Sequence, residues 1–148
     1  MQRVTKGSVQ AEGMDRREIG KGLVLLLGIS AKDDERVADY IASKAVNLRI
    51  FSDEAGNLNR SLLEVGGDCL IVSNFTLYAG CKKGRRPSFT NAALPGYAEP
   101  LYLHFVEAVK KAGVGKVQTG EFGAAMQVNI QNDGPVTILL DSAEMMPK

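Results

Sequence analysis

The sequence predicts a single domain, residues 1–148, with a strand-rich α/β fold of the α+β kind that has two main helices. Apolar runs of strand length outnumber the segments with helical spacing, and the predicted order is strands, helix, strands, helix, strands. A length of 148 residues suits one domain, and no internal repeat, low-complexity tract or linker divides the chain.

The first half of the chain is predicted to contain four strands and one helix. Apolar or alternating runs predict the strands at residues 3–10, 23–29, 48–51 and 68–73. Asp33 or Asp34 is a suitable N-cap for the helix, because apolar side chains recur at helical spacing from Val37 to about Asn47. A turn is expected at residues 53–56, after the third strand.

The second half is predicted to contain a long loop, a helix and a strand-rich end. Residues 78–95 have the composition of a loop. The helix is expected from near Pro100, because proline is tolerated in a first turn, to about Lys111. Strands are expected at residues 126–130 and 136–140, and fraying at residues 143–148.

The composition is that of a soluble protein with reduced cysteines. A hydrophobic content of 45% and a charged content of 24% are ordinary for globular domains. No apolar run approaches the roughly 18 residues of a membrane span, and the N-terminus lacks the apolar core of a signal peptide. Cys69 and Cys81 do not make a disulfide framework. We therefore expect a cytoplasmic protein without a membrane partner.

Common hydrolytic machinery is missing from the sequence. His104 is the only histidine, and it lies on the second predicted helix without another ligand type at a metal-binding spacing. No sequence feature pairs it with a serine nucleophile. Residues 20–22 are too short for a phosphate-binding loop. We therefore predict no metal and no cofactor, and an enzyme that relies on backbone groups, electrostatics and its substrate.

Gly134 and Pro135 separate the last two predicted strands. Proline lacks the N–H that a ladder needs, and glycine permits a backbone that other residues avoid. Such a pair is typical of an ordinary turn. The alternative is that the pair directs its backbone carbonyl groups at a ligand.

A cluster of cations lies in the predicted loop. Lys82, Lys83, Arg85 and Arg86 fall within five residues, although the net charge of the whole chain is +1. One interpretation is a solvated basic loop. The other is a contact with nucleic-acid phosphates, because clustered Lys and Arg side chains release condensed counterions from the backbone.

The segment Ser73, Asn74, Phe75 and Thr76 follows the fourth predicted strand. It would present hydroxyls, an amide and backbone N–H groups at one edge of the sheet, and such donors can form an oxyanion hole. Thr76 could instead be a nucleophile, although no base is adjacent to it in the sequence. The third interpretation is structural, with hydroxyls that satisfy backbone groups at a strand end.

Six phrases of the sequence resemble the D-aminoacyl-tRNA deacylases, and they run in the order of that family over nearly the whole chain. They are IGKGL (19–23), NLRIF (47–51), VSNFTLY (72–78), KGRRPSF (83–89), TGEFGA (119–124) and NDGPVT (132–137). The resemblance implies a small β-rich α/β fold with a barrel-like core, which works as a homodimer with active sites at the interface. It implies hydrolysis of the ester that joins a D-amino acid, or mischarged glycine, to the terminal adenosine of tRNA.

The resemblance also assigns site residues. It implies that the catalytic segment is Ser73, Asn74, Phe75 and Thr76, although the family usually has Gln at position 74. It implies that a cis Gly134-Pro135 peptide enters the partner's pocket, where it would block L-amino acids.

Other parts of the binding site are expectations of the same kind. Phe122 and Met126 are expected either to wall the aminoacyl-adenosine pocket or to pack in the core. The four cations Lys82, Lys83, Arg85 and Arg86 are expected to contact the tRNA backbone.

The mechanism expected from these residues uses the backbone. The N–H groups of Phe75 and Thr76 would bind the oxyanion, the carbonyls of Gly134 and Pro135 would bind the α-ammonium, and the 2′-hydroxyl of the substrate would orient the attacking water. Thr76 as a covalent nucleophile is the alternative mechanism. A non-catalytic RNA-binding module and a generic esterase are the alternative functions.

Overall fold

The computed structural model describes residues 1–146, and the long strand β1 (Gln2–Ala11) is its central element. On one side, β1 pairs antiparallel with β8 (Met126–Thr137). On the other side, the first half of β1 pairs antiparallel with β3 (Gly22–Leu27), and the second half pairs antiparallel with β2 (Arg17–Ile19). One long strand thereby connects three others.

Two parallel strands complete the sheet and bring its edges together. β6 (Asp68–Ser73) pairs with β3, and β7 (Val117–Thr119) pairs with β6. The guanidinium of Arg17, on the edge strand β2, donates to the carbonyl oxygen of Thr119 in β7 at 2.6 Å. The mixed sheet is therefore a nearly closed barrel, which confirms the predicted fold class.

The side chains of the central strands alternate between two cores. Leu23 and Leu25 of β3 pack in a core between the sheet and the helices. Val24 points to the other face, where it packs with Val4 and Leu70 inside the barrel. Strands that are buried on both faces account for the continuous apolar runs in the sequence.

The helices α1 (Glu35–Asn47) and α3 (Pro95–Lys111) cover one face of the sheet. The N-cap of α1 is Asp34, whose side chain accepts a hydrogen bond from the Val37 N–H at 2.9 Å. The predicted start of α3 near Pro100 is wrong, because the helix begins one turn earlier. The carbonyl that Pro100 leaves without an intrahelical partner lies in the exposed first turn, where water can bind it.

The strands predicted at residues 126–130 and 136–140 are not two strands. They belong largely to β8, which runs through the Gly-Pro pair and ends at Thr137. Asn132 and Thr137 both pair with β1, but the residues between them outnumber their counterparts there. The pair therefore lies in a bulge of a continuous strand, and the interpretation as a turn between two strands is wrong.

Several short elements differ from the prediction. The strand predicted at residues 48–51 is the two-residue β4 (Phe51–Ser52), which pairs with β5 (Leu58–Arg60) across the predicted turn at residues 53–56. The sequence did not predict β2, β5, α2 (Leu62–Val65), the 3-10 turn Phe75–Tyr78 or α4 (Ser142–Met145).

Part of the segment in which fraying is expected has helical backbone. Within residues 143–148, α4 extends to Met145, positions 147 and 148 lie outside the described residues, and fraying stays a prediction. Across residues 1–146, no helix combines the length and the apolar character that a membrane crossing requires.

Candidate active site

A cleft of about 690 Å³ lies where β3 and β6 end, beside the start of α3. The two strands are parallel, so their carboxyl ends meet at the same edge of the sheet, which is where α/β sheets commonly bind ligands. Most of the lining is apolar, and Ser73 and Asn74 are its polar side chains.

The segment after β6 enters this cleft because its first residues are fixed to β3. The Asn74 N–H donates to the Leu27 carbonyl at 2.8 Å, and the chain then turns into the 3-10 turn. Gly28 permits the close approach, because a Cβ at this position would lie 3.2 Å from the Asn74 carbonyl oxygen and 3.2 Å from the Leu77 Cβ. Close backbone packing thus holds the segment.

Asn74 caps the 3-10 turn through its side chain. Its Oδ1 accepts a hydrogen bond from the Thr76 N–H at 3.2 Å and a second one from the Thr76 hydroxyl. Both donors require an oxygen acceptor, which fixes the orientation of the Asn74 amide. The Thr76 hydroxyl proton is therefore engaged, and the Thr76 N–H is no longer a free oxyanion donor.

The Phe75 N–H is in a different situation. It begins the 3-10 turn, and among the hydrogen bonds of residues 1–146 it has no acceptor. Helix starts leave such N–H groups available to an anionic ligand. The Phe75 ring is 56% exposed and lines the cleft, so this free donor lies next to accessible space.

Phe122 and Met126 also line the cleft, and they pack in the core as well. The Phe122 ring lies 5.9 Å from the Tyr102 ring, whose hydroxyl donates to the Ile71 carbonyl at 2.6 Å. A Cβ on Gly120 would come within 2.5 Å of the Met126 sulfur, so this glycine makes room for Met126. Both residues therefore face the cleft and pack against a core at the same time, and a contact with aminoacyl-adenosine stays a prediction.

The basic cluster is the tip of a loop that returns to the cleft. Gly80 and Ser88 close the loop through two backbone hydrogen bonds, of 2.6 and 2.8 Å. The four cations Lys82, Lys83, Arg85 and Arg86 are exposed, and no salt bridge within residues 1–146 involves them. At the base of the loop, the Phe89 ring contacts the Phe75 ring edge-on, with centroids 5.2 Å apart.

Gly134 and Pro135 do not line this cleft. Their peptide bond is cis, as the resemblance implies, and both residues are exposed. Gly134 has a φ of +137°, a conformation that favours glycine. Within one chain, the structure therefore leaves the Gly-Pro pair away from the Ser73–Phe75 part of the site.

Two side chains hold the Gly-Pro bulge from inside. The Asn132 side chain accepts from the Val136 N–H at 2.7 Å and donates to the Val136 carbonyl at 3.2 Å, which closes the bulge. Arg3 is 9% exposed, and its guanidinium donates to the carbonyls of Asp133, at 3.0 Å, and Ile50, at 2.8 Å. Hydrogen bonds of the buried Arg3 and the half-buried Asn132 side chains therefore support the exposed Gly-Pro pair.

Comparison with known proteins identifies the family. The family model described as D-Tyr-tRNA(Tyr) deacylase matches residues 1–141. The chain belongs to this deacylase family. A D-aminoacyl-tRNA deacylase of Thermosipho melanesiensis is 51% identical over 98% of this chain and 97% of the relative. One of Clostridium botulinum is 56% identical over 96% of this chain and 95% of the relative.

A solved structure supports the same assignment of fold. The c-Myc DNA unwinding element binding protein is 42% identical to this chain and superposes with a TM-score of 0.87 over 95% of each chain. The family membership confirms the resemblance that the sequence phrases indicated.

Other reactive groups of this deacylase-family chain lie outside the cleft. Burial raises the pKa of the Cys69 thiol to about 12, so it stays protonated at neutral pH. His104 is bound to α1 through a 2.8 Å contact with Asp39, which agrees with a structural histidine. Within residues 1–146, no three His, Cys, Asp or Glu side chains form a candidate metal site.

The structure thus gathers five of the expected site residues around one cleft. They are Ser73, Asn74, Phe75, Phe122 and Met126. Thr76, the Gly-Pro pair and the four cations are not part of the lining. Arg3 and Phe89 were not among the predicted site residues, and of the two only Phe89, inside the phrase KGRRPSF, carried any signal in the sequence.

Proposed function

We propose that this chain hydrolyses the ester bond of D-aminoacyl-tRNA and releases the tRNA and the D-amino acid. The observation that carries the proposal is the free Phe75 N–H beside an apolar cleft, in a chain of a tRNA deacylase family. The names of relatives that are 51% and 56% identical support this substrate class.

Catalysis would consist of stabilising charge on an already labile ester. A water molecule attacks the ester carbonyl, and the Phe75 N–H donates to the oxyanion that forms. Collapse of this intermediate breaks the bond to the ribose oxygen, which takes up the proton that the water loses. The neighbouring 2′-hydroxyl of the substrate orients the water, a role for which the cleft lining offers no histidine or carboxylate.

The hydrogen bonds of Thr76 favour this mechanism over a covalent one. A threonine nucleophile needs a base that takes its proton. The Thr76 hydroxyl instead donates to the Asn74 amide oxygen, which is not a base at neutral pH. Among residues 1–146, no titratable side chain is hydrogen-bonded to Thr76.

Chiral selection would require a second copy of the chain. Gly134 and Pro135 are exposed and absent from the lining of their own cleft, which fits a role in the cleft of a partner. In such a homodimer, their carbonyls accept hydrogen bonds from the α-ammonium of the substrate. The rigid pair then blocks the direction that an L side chain would take, which is selection by rejection.

The proposal also covers a second substrate, the contact with the tRNA backbone and the location. Glycine has no side chain to reject, so glycyl-tRNA is proposed as a substrate. The exposed cations Lys82, Lys83, Arg85 and Arg86 are proposed to bind the tRNA backbone. A cytoplasmic location belongs to the same proposal, because aminoacyl-tRNA is used there.

Release of labelled tyrosine from D-tyrosyl-tRNA and L-tyrosyl-tRNA tests the proposal, with spontaneous hydrolysis as the baseline. We expect fast release of the D form and release of the L form at the baseline rate. Hydrolysis of neither form would favour a non-catalytic RNA-binding module. Hydrolysis of small esters that matches hydrolysis of the tRNA ester would favour a generic esterase.

A further inference from the structure

Two exposed aromatic rings lie together where the basic loop meets the cleft. Phe75 is 56% exposed and Phe89 is 37% exposed, and both line the cleft. Their centroids are 5.2 Å apart with an interplanar angle of 75°. Large aromatic side chains are usually more buried than this, so an exposed pair in a cleft indicates a binding surface.

The backbone around Phe89 keeps the pair in place. The Ala92 N–H donates to the Phe89 carbonyl at 3.1 Å, and the Ala93 N–H donates to the Ile29 carbonyl at 2.8 Å. On the other side of Phe89, Ser88 and Gly80 close the basic loop. The ring is therefore fixed between the end of β3 and the loop.

The charges of the basic loop indicate which kind of ligand this surface binds. The four cations of the loop carry more than the net charge of the whole chain, which is +1, so the rest of the chain is net negative. Positive charge is therefore concentrated in the loop whose base carries Phe89, where it attracts a polyanion to this end of the molecule. Exposed rings next to unpaired cations are typical of surfaces that bind single-stranded nucleic acid, because the rings stack on unpaired bases.

We propose that the Phe75–Phe89 pair is a stacking platform for an unpaired base upstream of the terminal adenosine of the substrate. This inference rests on the proposed function, in which the ester lies at the Phe75 N–H, and it takes the terminal adenosine to lie in the same cleft, which Phe122 also lines. The nucleotides that precede the adenosine then continue towards the loop, and its cations bind their phosphates. A base within a duplex is already stacked, so the platform selects an unpaired 3′ end.

Binding of uncharged tRNA tests the platform without any catalytic step. Fluorescence anisotropy would compare intact tRNA with tRNA in which the two nucleotides before the terminal adenosine are abasic, so that every phosphate is kept. We expect the abasic tRNA to bind the wild-type chain about tenfold more weakly, as for the loss of a stacked base. Equal binding of the two RNAs would overturn the proposal.

Two variants at position 89 connect this loss to the ring. Phe89→Leu keeps apolar bulk but leaves Phe75 as the single ring of the pair, so the difference between intact and abasic tRNA should become smaller than in the wild-type chain. Phe89→Tyr keeps the ring and should retain the wild-type difference. If Phe89→Leu shows the full wild-type difference, the base does not stack on this pair. A platform that passes these tests in a chain without deacylase activity would leave this inference intact and remove only the proposed function.

Discussion

The side-chain oxygen of Asn74 accepts hydrogen bonds from both the backbone N–H and the hydroxyl of Thr76. Asparagine is short enough to bond to an N–H two residues ahead, as in an Asx turn. The donors of the segment are therefore in two different states. Thr76 is used for the structure of the turn, whereas the Phe75 N–H has no acceptor among residues 1–146.

Removal of the Thr76 hydroxyl should therefore have a small effect. Thr76→Ala loses one hydrogen bond to Asn74 but keeps the backbone N–H groups, so we expect kcat for D-tyrosyl-tRNA to fall by less than about tenfold. Single-turnover deacylation measures this change. A loss of several orders of magnitude would instead identify Thr76 as the nucleophile.

Removal of the Phe75 N–H should have a large effect. Proline fits the first position of a helical turn, and Asn74 already has an extended backbone, so Phe75→Pro can keep the turn while it deletes the donor. We expect kcat about 10²–10³ lower than in the matched control Phe75→Ala, which lacks the ring but keeps the N–H. Equal rates for the two variants would exclude this N–H as the oxyanion donor.

Arg3 should link stability to chiral selection. Arg3→Lys cannot reproduce the two guanidinium bonds to the carbonyls of Asp133 and Ile50, so the free energy of unfolding should fall by about 1–3 kcal/mol. Because the Gly-Pro bulge loses the support of the Arg3 hydrogen bond to Asp133, the ratio of D- to L-tyrosyl-tRNA hydrolysis should fall as well. Denaturant unfolding and the deacylation assay measure the two effects.

A matched control for Arg3 lies on the same strand. Lys6 is an exposed cation of β1, and Lys6→Ala should change neither the unfolding free energy nor the ratio. An Arg3→Lys variant that keeps the wild-type D/L ratio would show that Arg3 does not affect chiral selection through the Gly-Pro pair.

The basic loop should determine the salt dependence of tRNA binding. Arg85→Ala combined with Arg86→Ala should make the negative slope of log K against log salt concentration less steep by about 1.4–1.8, because each neutralised phosphate contributes about 0.7–0.9. The control pair, Lys111→Ala with Lys116→Ala, removes two exposed cations elsewhere. The same slope in both double variants would place the tRNA away from the loop.

Local patterns in the sequence predicted most of the elements that shape the cleft. The strands β3 and β6 were predicted from continuous apolar runs, because both faces of these strands are buried. The helix α1 was predicted from its Asp34 cap and its apolar spacing, which are both local signals in the sequence. The resemblance pointed to the segment after β6.

The remaining features depend on contacts between distant parts of the chain. Whether Gly134 and Pro135 form a turn or a bulge is decided by pairing with β1, and Arg3 reaches Asp133 across 130 residues of sequence. The contact between Phe75 and Phe89 depends on how the basic loop closes. A single sequence carries no local signal for such contacts, so Arg3 and the aromatic pair could not be predicted.

We expect a complete active site to combine the cleft of one chain with Gly134 and Pro135 of another. Two variants that we expect to be inactive test it. Phe75→Pro removes the donor in the cleft. Gly134→Ala distorts the Gly-Pro bulge, because the added Cβ would lie 2.9 Å from Val136 Cγ2 at a φ of +137°.

The deciding measurement is D-tyrosyl-tRNA hydrolysis after the two inactive variants are mixed and allowed to exchange subunits. Half of the dimers would then be mixed, and each mixed dimer would contain one intact site, so we expect recovery of about a quarter of the wild-type activity. No recovery in a mixture whose subunit exchange is verified by mass spectrometry would contradict a site that is shared between two chains.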